Sequence, residues 1–331
     1  MTRALDLCGV GRGGSCVILH DPSTPTATVA ATRLAAHRAG ARPILVEVPA
    51  HGDAFGEDAV IAAGSSVDLV VDLTAKPPDP RGGSSRLIAD GGHVLRIGAR
   101  EASDLATFVA HPGIERRVHA AMDALREASS MSVVTTGPTM LSFDLRDAEV
   151  SGTWGATTAE TPTAQWPGGL VRVDPVDDDC AGAVAVMAGD VVAPANRHVI
   201  APAAVLVEAG HVCEITGSDD AALIRALFET VRARSDHLGG DGVYRLRSVR
   251  IGMHPTAPLD PDVLLAPALT RPDADVRNGV VTIAFGLDDD TAVEVRLRSA
   301  TVTVDEVTVV SHGRLAGSFE PDVYEEVRRR R

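Results

Sequence analysis

The stretch Asn278–Leu315 reads NGVVTIAFGLDDDTAVEVRLRSATVTVDEVTVVSHGRL and decides how the second half of the chain folds. Three of its runs alternate apolar and polar residues, namely Val280–Phe285, Ala292–Leu297 and Thr301–Val310. Gly286 and Asp288–Asp290 separate the first two runs and have a turn composition. Alternation over about 4–8 residues, rich in valine and threonine, is typical of strands with one buried face. The stretch therefore predicts an antiparallel meander.

Short strands also dominate the chain from Met131 up to this stretch. The predicted strands include Ser132–Thr136, Met140–Leu145, Ala183–Met187, Val205–Glu208 and Val212–Ile215. One helix interrupts them at Asp219–Arg234, where Leu223, Leu227 and Val231 form an apolar stripe at helical spacing. Residues 131–331 are therefore predicted to form an α+β domain with a mainly antiparallel sheet.

Residues 1–130 show a different pattern, in which apolar strands alternate with helices. A strand at Ser15–His20 is followed by an Ala-rich helix at Thr26–Ala39, and Gly40 fits a glycine cap at the helix end. Further predicted strands are Pro43–Val48, Val67–Leu73 and Gly92–Ile97. The alternation predicts a Rossmann-like domain with a parallel sheet, so the whole chain is assigned to the α/β class with a domain boundary after residue 130.

Composition excludes some partners. The chain has 331 residues, 45% hydrophobic, and a net charge of −14, which argues against nucleic acid and against an anionic membrane as partners. The four cysteines form no C-x-x-C pair and fit no zinc template, so reduced thiols and a cytoplasmic location are expected. No apolar leader and no apolar run long enough to span a membrane is visible.

The segment Gly9–Gly14 satisfies the G-x-G-x-x-G pattern through Gly9, Gly11 and Gly14. In a dinucleotide site a strand precedes this pattern and a helix follows it, so that the helix N-terminus faces the pyrophosphate. Here a strand is predicted to follow. A flexible glycine-rich lead-in is favoured, and a nucleotide-dependent enzyme is kept as a third alternative.

Several C-terminal segments resemble, in chain order, the second domain of thermophilic-type metallo-aminopeptidases and of their relatives, the 2,5-dihydroxypyridine dioxygenases. They are Val134–Leu145, Trp166–Leu170, Ala204–Gly217, Val249–Pro255, Gly279–Gly286 and Thr301–Leu315. In the same order, they look like six segments of those proteins: the opening strand pair, the Pro-x-Gly-Glu segment, the Val-x-Glu-Ile-x-Gly hairpin, the Gly-x-Asn-Pro segment, the Gly-Thr-x-His strand and the closing hairpin. The resemblance covers roughly residues 130–315.

The resemblance implies metal-dependent removal of an N-terminal residue, or iron-dependent ring opening in the dioxygenase branch. The positions of the metal ligands in those proteins fall here on Leu170, Ser248, Thr282, Ala292 and Glu294. Only Glu294 offers a metal-binding group, whereas such a site needs three or four protein ligands. No bound metal and no cofactor are therefore expected.

Other potential ligands lie near these positions. His254 stands where the resemblance has asparagine, and a site rebuilt from His254, Glu294 and a third group stays open. His211 and His237 are placed in a turn and at a helix end. The acidic cluster of Asp174 with Asp177–Asp179 is interpreted as a solvated hairpin.

The first hypothesis is a metal-free aminopeptidase-like protein that binds a peptide or a peptide-derived metabolite in an interdomain cleft. It would act as a binding protein or as a non-hydrolytic tailoring enzyme of a biosynthetic pathway. Glu294, as a general base with a raised pKa, and His254 are the candidate catalytic residues, and Arg250 is a candidate to hold a substrate carboxylate. The remaining candidate substrate-binding residues are Ser248, Thr282, Leu170, Ala292, Trp166 and Tyr244.

Two further expectations accompany this hypothesis. The resemblance alone implies a homodimer, and a peptide that adds a strand to an exposed sheet edge would leave no signal in the sequence. The alternative hypothesis is an active metallo-aminopeptidase or ring-opening dioxygenase with a rearranged metal site.

Overall fold

The structure is a computed structural model that describes residues 1–50, 53–76, 83–135, 139–176, 180–234, 240–255, 265, 273–287 and 292–322. Its helices are α1 (Thr2–Leu7), α2 (Thr26–Ala39), α3 (Asp58–Ser65), α4 (Gly83–Ala89), α5 (Ala102–Thr107), α6 (Pro112–Glu127) and α7 (Asp219–Arg234). Its strands are β1 (Ser15–His20), β2 (Arg42–Glu47), β3 (Leu69–Asp72), β4 (Val94–Arg96), β5 (Ser130–Val134), β6 (Met140–Asp144), β7 (Glu149–Thr153), β8 (Thr163–Gln165), β9 (Leu170–Asp174), β10 (Cys180–Val186), β11 (Val191–Ala193), β12 (Arg197–His198), β13 (Ala203–Glu208), β14 (His211–Gly217), β15 (Leu246–Gly252), β16 (Val281–Phe285), β17 (Val293–Leu297), β18 (Thr301–Val304), β19 (Val307–Ser311) and β20 (Arg314–Leu315). Short 3₁₀ turns lie at Ala54–Gly56, Gly240–Tyr244, Ala274–Val276 and Gly317–Phe319.

Within these described ranges the strands assemble into three sheets. Sheet A has the order β2-β1-β3-β4-β8, sheet B has β14-β13-β10-β6-β5-β18-β19-β20, and sheet C has β12-β11-β17-β16-β15-β9-β7. The strand pairs of sheet A are parallel, whereas the registered pairs of sheets B and C are antiparallel. The predicted mixed α/β class, with a parallel sheet followed by antiparallel ones, is confirmed.

By its internal contacts the chain forms two units. The first contains Met1–Glu115 and Thr153–Gly168, and the second contains Arg116–Gly152 and Gly169–Arg331. The chain therefore returns to the first unit after β7, where β8 adds a fifth parallel strand beside β4. The sequence interpretation does not anticipate this return, because β8 has only three residues and carries no recognisable apolar pattern.

The first unit follows the predicted pattern of strands and helices. Strand β3 is buried along its whole length, as expected of a parallel strand that is covered on both faces. Helix α2 ends at Gly40, whose φ of 84° supplies the left-handed cap that glycine adopts without strain. Helix α1 precedes Gly9–Gly14 and β1 follows it, so the order required for a dinucleotide fingerprint is not present.

The C-terminal stretch does form strands, but it does not form a single meander. Strands β16 and β17 belong to sheet C, whereas β18, β19 and β20 belong to sheet B. The predicted run Thr301–Val310 is split by a tight turn in which Asp305 adopts a φ of 46°. A short polar side chain such as that of aspartate tolerates this conformation better than valine does, so the turn is placed at Asp305.

Sheet C has one apolar and one polar face. The apolar face carries Val171, Val173, Val249, Ile251, Val281, Ile283, Phe285, Val293, Val295 and Leu297, each at most 1% exposed. A slip of the register by one residue would move this whole set to the other face, so burial of the apolar face fixes the register. The residues between them are held on the opposite face, with Arg250 opposite Thr282 and Thr282 opposite Arg296.

No helix among the described residues is long and apolar enough to cross a membrane.

A buried carboxyl group connects the turn after β10 with the turn after β17. The two oxygens of Asp190 accept hydrogen bonds from the backbone N–H groups of Met187, at 2.8 Å, and Arg298, at 2.9 Å. Asp190 is only 2% exposed. Burial raises its pKa to about 7, against the opposing effect of the two N–H donors and of the Arg298 charge.

This pKa predicts a stability that depends on pH. Because the folded chain holds a proton on Asp190 up to about pH 7 and the unfolded chain releases it near 3.8, the free energy of unfolding should fall as pH rises through that interval. The expected slope is up to about 1.4 kcal/mol per pH unit. Denaturant unfolding of the wild type and of Asp190→Asn between pH 5 and about 8 measures it.

The difference between the two proteins removes contributions from all other groups. The wild type should lose stability relative to Asp190→Asn as pH rises, and the difference should level off above the pKa. A difference that is constant, or that grows with pH, would contradict the assignment.

Candidate functional site

The polar face of sheet C collects most of the predicted site residues. One row across the strands contains Arg172, Arg250, Thr282 and Arg296, on β9, β15, β16 and β17 respectively. The next row contains Ser248, Ala284, Glu294 and Ala193. Since side chains alternate along a strand, residues two apart share a face, which places Leu170 beside Arg172 on this same surface.

Four charged residues on this face form a closed ring of ion pairs, called the ion-pair ring below. It consists of Arg250, Asp275, Arg296 and Glu294. Nη1 of Arg250 lies 2.8 Å from Oδ2 of Asp275, and Nε of Arg296 lies 3.0 Å from Oδ1. Nη2 of Arg296 lies 3.2 Å from Oε2 of Glu294, whose Oε1 accepts from Nη2 of Arg250. Each carboxylate thus bridges both guanidinium groups.

Two neutral side chains add hydrogen bonds to the ring. The Thr282 hydroxyl donates to Oδ1 of Asp275 at 2.9 Å, and Nη1 of Arg296 donates to the amide oxygen of Asn196 at 3.0 Å. All three nitrogens of the Arg296 guanidinium therefore have an oxygen partner. Asn196 reaches this position from the turn between β11 and β12, where its φ is 47°.

The side chains of the ion-pair ring are buried, so loss of one member has a large cost in folding free energy. The side chains are 12% exposed for Arg250, 9% for Asp275, 6% for Arg296 and 12% for Glu294. Two positive and two negative charges sum to zero, so the ring compensates its own buried charge. Removal of one member would leave an uncompensated buried charge, which typically costs about 3–5 kcal/mol.

Asp275 is the member that does not come from a strand. It lies in the single 3₁₀ turn Ala274–Val276, which packs against the end of β15. The backbone N–H of His254 donates to the Val276 carbonyl at 2.9 Å, and a Cβ atom on Gly252 would collide with the carbonyl oxygen of Arg277. Glycine at position 252 thus allows this close approach of the two backbones.

The structure places the positions that correspond to metal ligands in the resembling proteins on or beside the polar face of sheet C. Leu170, Ser248, Thr282 and Glu294 lie on the polar face, and Ala292 immediately precedes β17. Ser248 is fully buried, and its hydroxyl makes no hydrogen bond to any residue in the described ranges. Ala292 is 6% exposed.

The predicted histidines and acidic residues have different positions. His254 is 1% exposed and lies directly beyond β15, beside the turn that carries Asp275. His211 is exposed at the start of β14, where its Nδ1 lies 2.9 Å from the Ala209 carbonyl. Asp174 pairs with Arg172 at 2.6 Å. His237 and Asp177–Asp179 lie outside the described residues.

Two predicted binding residues are not part of this face. The Tyr244 ring stacks on Phe228 at 5.2 Å, and Phe228 contacts Phe285, which belongs to the apolar face of sheet C. The Tyr244 hydroxyl donates to Glu229 at 2.7 Å. Trp166 belongs to the first unit, where it is 1% exposed and contacts Phe108 edge-on at 6.0 Å.

Sequence reasoning missed Asp275, Arg296 and Asn196. For Arg296 a signal existed, because the alternation Val293-Glu294-Val295-Arg296-Leu297 places Glu294 and Arg296 on one face. For Asp275 and Asn196 no local pattern exists, since each reaches the face from a turn. Only the tertiary fold brings these two side chains to the arginines.

With this geometry established, comparisons with known proteins identify the family. The family model described as NicX, 2,5-dihydroxypyridine 5,6-dioxygenase, matches residues 1–317. The chain belongs to the 2,5-dihydroxypyridine 5,6-dioxygenase family. The resemblance predicted from the C-terminal segments is confirmed, and the match extends over the N-terminal half as well.

Solved structures with a similar fold include the 2,5-dihydroxypyridine dioxygenase from Pseudomonas putida KT2440. Its TM-score is 0.76 at 21% identity, over 97% of this chain and 97% of that chain. Wild-type AmpT from Thermus thermophilus gives a TM-score of 0.53 at 13% identity, over 96% of this chain and 98% of that chain. Both likenesses concern the fold. A comparison with curated proteins finds no match.

Among the described residues, those at the positions that correspond to metal ligands do not fit the iron that the resemblance implies. Of Leu170, Ser248, Thr282, Ala292 and Glu294, only Glu294 has a carboxylate, imidazole or thiolate, and its two oxygens already accept from Arg250 and Arg296. A divalent cation at Glu294 would face two guanidinium groups of the same sign, with too few ligands to offset the repulsion. Among the described residues no group of three or more His, Cys, Asp or Glu side chains is arranged to hold a metal ion.

A double-mutant cycle tests the ion-pair ring. Arg296→Met and Glu294→Gln should each lower the free energy of unfolding by about 3–5 kcal/mol, because each leaves an unbalanced buried charge. The double variant should cost clearly less than the sum, since Arg250 and Asp275 remain as a neutral pair. Urea unfolding of the four proteins measures the coupling.

Arg172→Met serves as the matched control, since the partner Asp174 is 34% exposed and the pair is screened by solvent. The control should cost about 1 kcal/mol or less. Additive costs for Arg296→Met and Glu294→Gln would show that the ring is not an energetic unit.

Proposed function

We propose that this member of the family works without a metal and binds a peptide or a peptide-derived metabolite on the polar face of sheet C. It acts there as a binding protein or as a non-hydrolytic tailoring enzyme of a biosynthetic pathway. The main support for this proposal is the ion-pair ring. In the ring, Arg250 and Arg296 bind Glu294, which is the one carboxylate at a position that corresponds to a metal ligand in the resembling proteins.

The polar face retains groups that suit a ligand. The side chains of Arg250 and Glu294 keep 12% exposure, so the ring has an accessible edge. The Ser248 hydroxyl on the same face has no described partner, and a buried hydroxyl is stabilised when a ligand completes its hydrogen bonds. The sequence resemblance to metallo-aminopeptidases supports a peptide as the ligand class, and the fold is similar to that of AmpT.

The chemistry of Glu294 follows from its partners. Each of its oxygens accepts from a guanidinium, so proton transfer through Glu294 would require loss of one contact with an arginine. This arrangement favours binding and orientation of a ligand over general base catalysis. His254, beside the Asp275 turn, is the remaining candidate for proton transfer in a tailoring reaction.

The first unit is proposed to be a Rossmann-like scaffold rather than a nucleotide site. The carboxylates that follow β1 and end β3 are satisfied internally, since Asp21 accepts from the Ala75 N–H at 2.8 Å and Asp72 accepts from the Thr74 N–H at 2.9 Å. Two carboxylates at this edge of a parallel sheet would repel a pyrophosphate.

A cytoplasmic homodimer belongs to the same proposal, and sedimentation velocity measures the oligomeric state.

Metal analysis tests the first part of the proposal. Protein produced in medium supplemented with iron and zinc should contain substoichiometric metal, and EDTA should leave its Tm unchanged, because the donor set is incomplete. Elemental analysis and thermal unfolding provide the two readouts, with 2,5-dihydroxypyridine as a substrate that should remain intact.

Glu294→Gln is the matched control for metal. Stoichiometric iron or zinc in the wild type that is lost in Glu294→Gln, together with ring opening of 2,5-dihydroxypyridine, would establish the alternative of a rearranged metalloenzyme.

Ser248→Ala tests the second part. Because the Ser248 hydroxyl has no described hydrogen bond to lose, the variant should match the wild type in unfolding free energy within about 0.5 kcal/mol. A pool of di- and tripeptides screened by thermal shift should contain ligands that stabilise the wild type, are recovered unhydrolysed, and stabilise Ser248→Ala less. Equal stabilisation of both proteins would show that Ser248 does not contact the ligand. If no peptide in the pool stabilises the wild type, the result would count against peptide binding.

A further inference from the structure

Three side chains donate hydrogen bonds to the carboxylate of Asp275. Arg250, Thr282 and Arg296 lie on three adjacent strands in one cross-strand row. Oδ1 of Asp275 receives Nε of Arg296 at 3.0 Å and the Thr282 hydroxyl at 2.9 Å, and Oδ2 receives Nη1 of Arg250 at 2.8 Å. Three converging donors around two oxygens are the arrangement that binds a carboxylate.

The geometry of these donors does not depend on Asp275 alone. Glu294 accepts from Nη2 of both guanidinium groups, and Asn196 accepts from Nη1 of Arg296. The strands that carry the donors are fixed by their ladders and by the apolar face. The three donors, called the carboxylate cradle below, therefore keep their orientation if the Asp275 carboxylate leaves.

The charge of the cradle selects its occupant. Two arginines and Glu294 sum to +1, which one carboxylate neutralises. Asp275 supplies that charge from the turn Ala274–Val276, outside the strands of sheet C. The side chains of Asp275, Arg250 and Glu294 keep between 9% and 12% exposure, so solvent reaches the ring at this edge.

We propose that the carboxylate cradle is the recognition site for a carboxylate group of the ligand, and that Asp275 occupies it as an internal substitute until the ligand exchanges with it. The inference rests on the proposed function and specifies it, because it assigns the ligand a free carboxylate such as the C-terminus of a peptide. A ligand carboxylate that entered beside Asp275 would meet two negative charges, whereas exchange keeps the ring neutral.

Carboxylate binding to the full-length wild type provides the decisive measurement. Trifluoroacetate is the probe, followed by ¹⁹F NMR at constant ionic strength, and trifluoroethanol is the neutral control. The trifluoroacetate signal should broaden with the wild type, acetate should reverse the broadening, and chloride should not. With Asp275 replaced by alanine, Thr282→Val should weaken acetate binding because it removes one donor from the ligand alone without changing a charge, while Thr303→Val on β18 should leave it unchanged.

Asp275→Ala supplies the second arm. The variant should bind acetate about tenfold tighter than the wild type, since no internal carboxylate competes and the cradle carries one net positive charge. Acetamide should bind to neither protein. If Asp275→Ala does not fold, Asp275→Asn takes its place, because it keeps the size of the side chain and removes the competing negative charge.

Two results would overturn the inference. Asp275→Ala that binds acetate no better than the wild type would show that the donors do not form a carboxylate site. Acetate bound by Asp275→Ala while the wild type gives no specific trifluoroacetate signal would show that the ring is a permanent structural network. Neither result depends on the metal content of the protein. Failure of the carboxylate-binding test is therefore distinguishable from failure of the proposed function, which the metal analysis tests.

Discussion

The buried ring of two guanidinium groups and two carboxylates is the constraint on which the polar face of sheet C depends. Charges this deep are tolerated only when each has a partner, because desolvation of an isolated ion costs several kcal/mol. Here the charges of Arg250, Asp275, Arg296 and Glu294 sum to zero, and Thr282 and Asn196 add two further hydrogen bonds. The ring joins β15, β16 and β17 to the turn at Ala274–Val276, so a set of side chains from distant parts of the sequence is held in one arrangement.

The ring also bears on the proposal that this member of a dioxygenase family works without a metal. Ligand positions on the strands are kept in register by the apolar face, whatever residues occupy the polar face. Leu170, Ser248 and Thr282 stand at such positions without offering the donors that iron or zinc requires. Arg250 and Arg296 supply the positive charge that neutralises Glu294 in the described structure.

Much of the fold could be predicted from the sequence, and the physical reasons differ between elements. The valine-rich runs of β16 and β17 and the glycine cap of α2 are local signals, so the sequence alone predicts these elements. The division of Asn278–Leu315 between sheets B and C depends on pairing with β5 and β11, which are distant in sequence. The addition of β8 to sheet A was missed for the same reason. In the site, Glu294 and Arg250 were predicted from the resemblance, whereas Asp275 and Asn196 reach the ring from turns and have no local signature.

Anomalous diffraction would show whether Glu294 binds a metal, because it locates a metal atom rather than counting it. Crystals grown with ferrous iron, and separately with zinc, would be measured at the absorption edge of each metal. We expect no anomalous peak beside Glu294, with the guanidinium groups of Arg250 and Arg296 in contact with both of its oxygens. A peak coordinated by Glu294, with either arginine displaced, would contradict it.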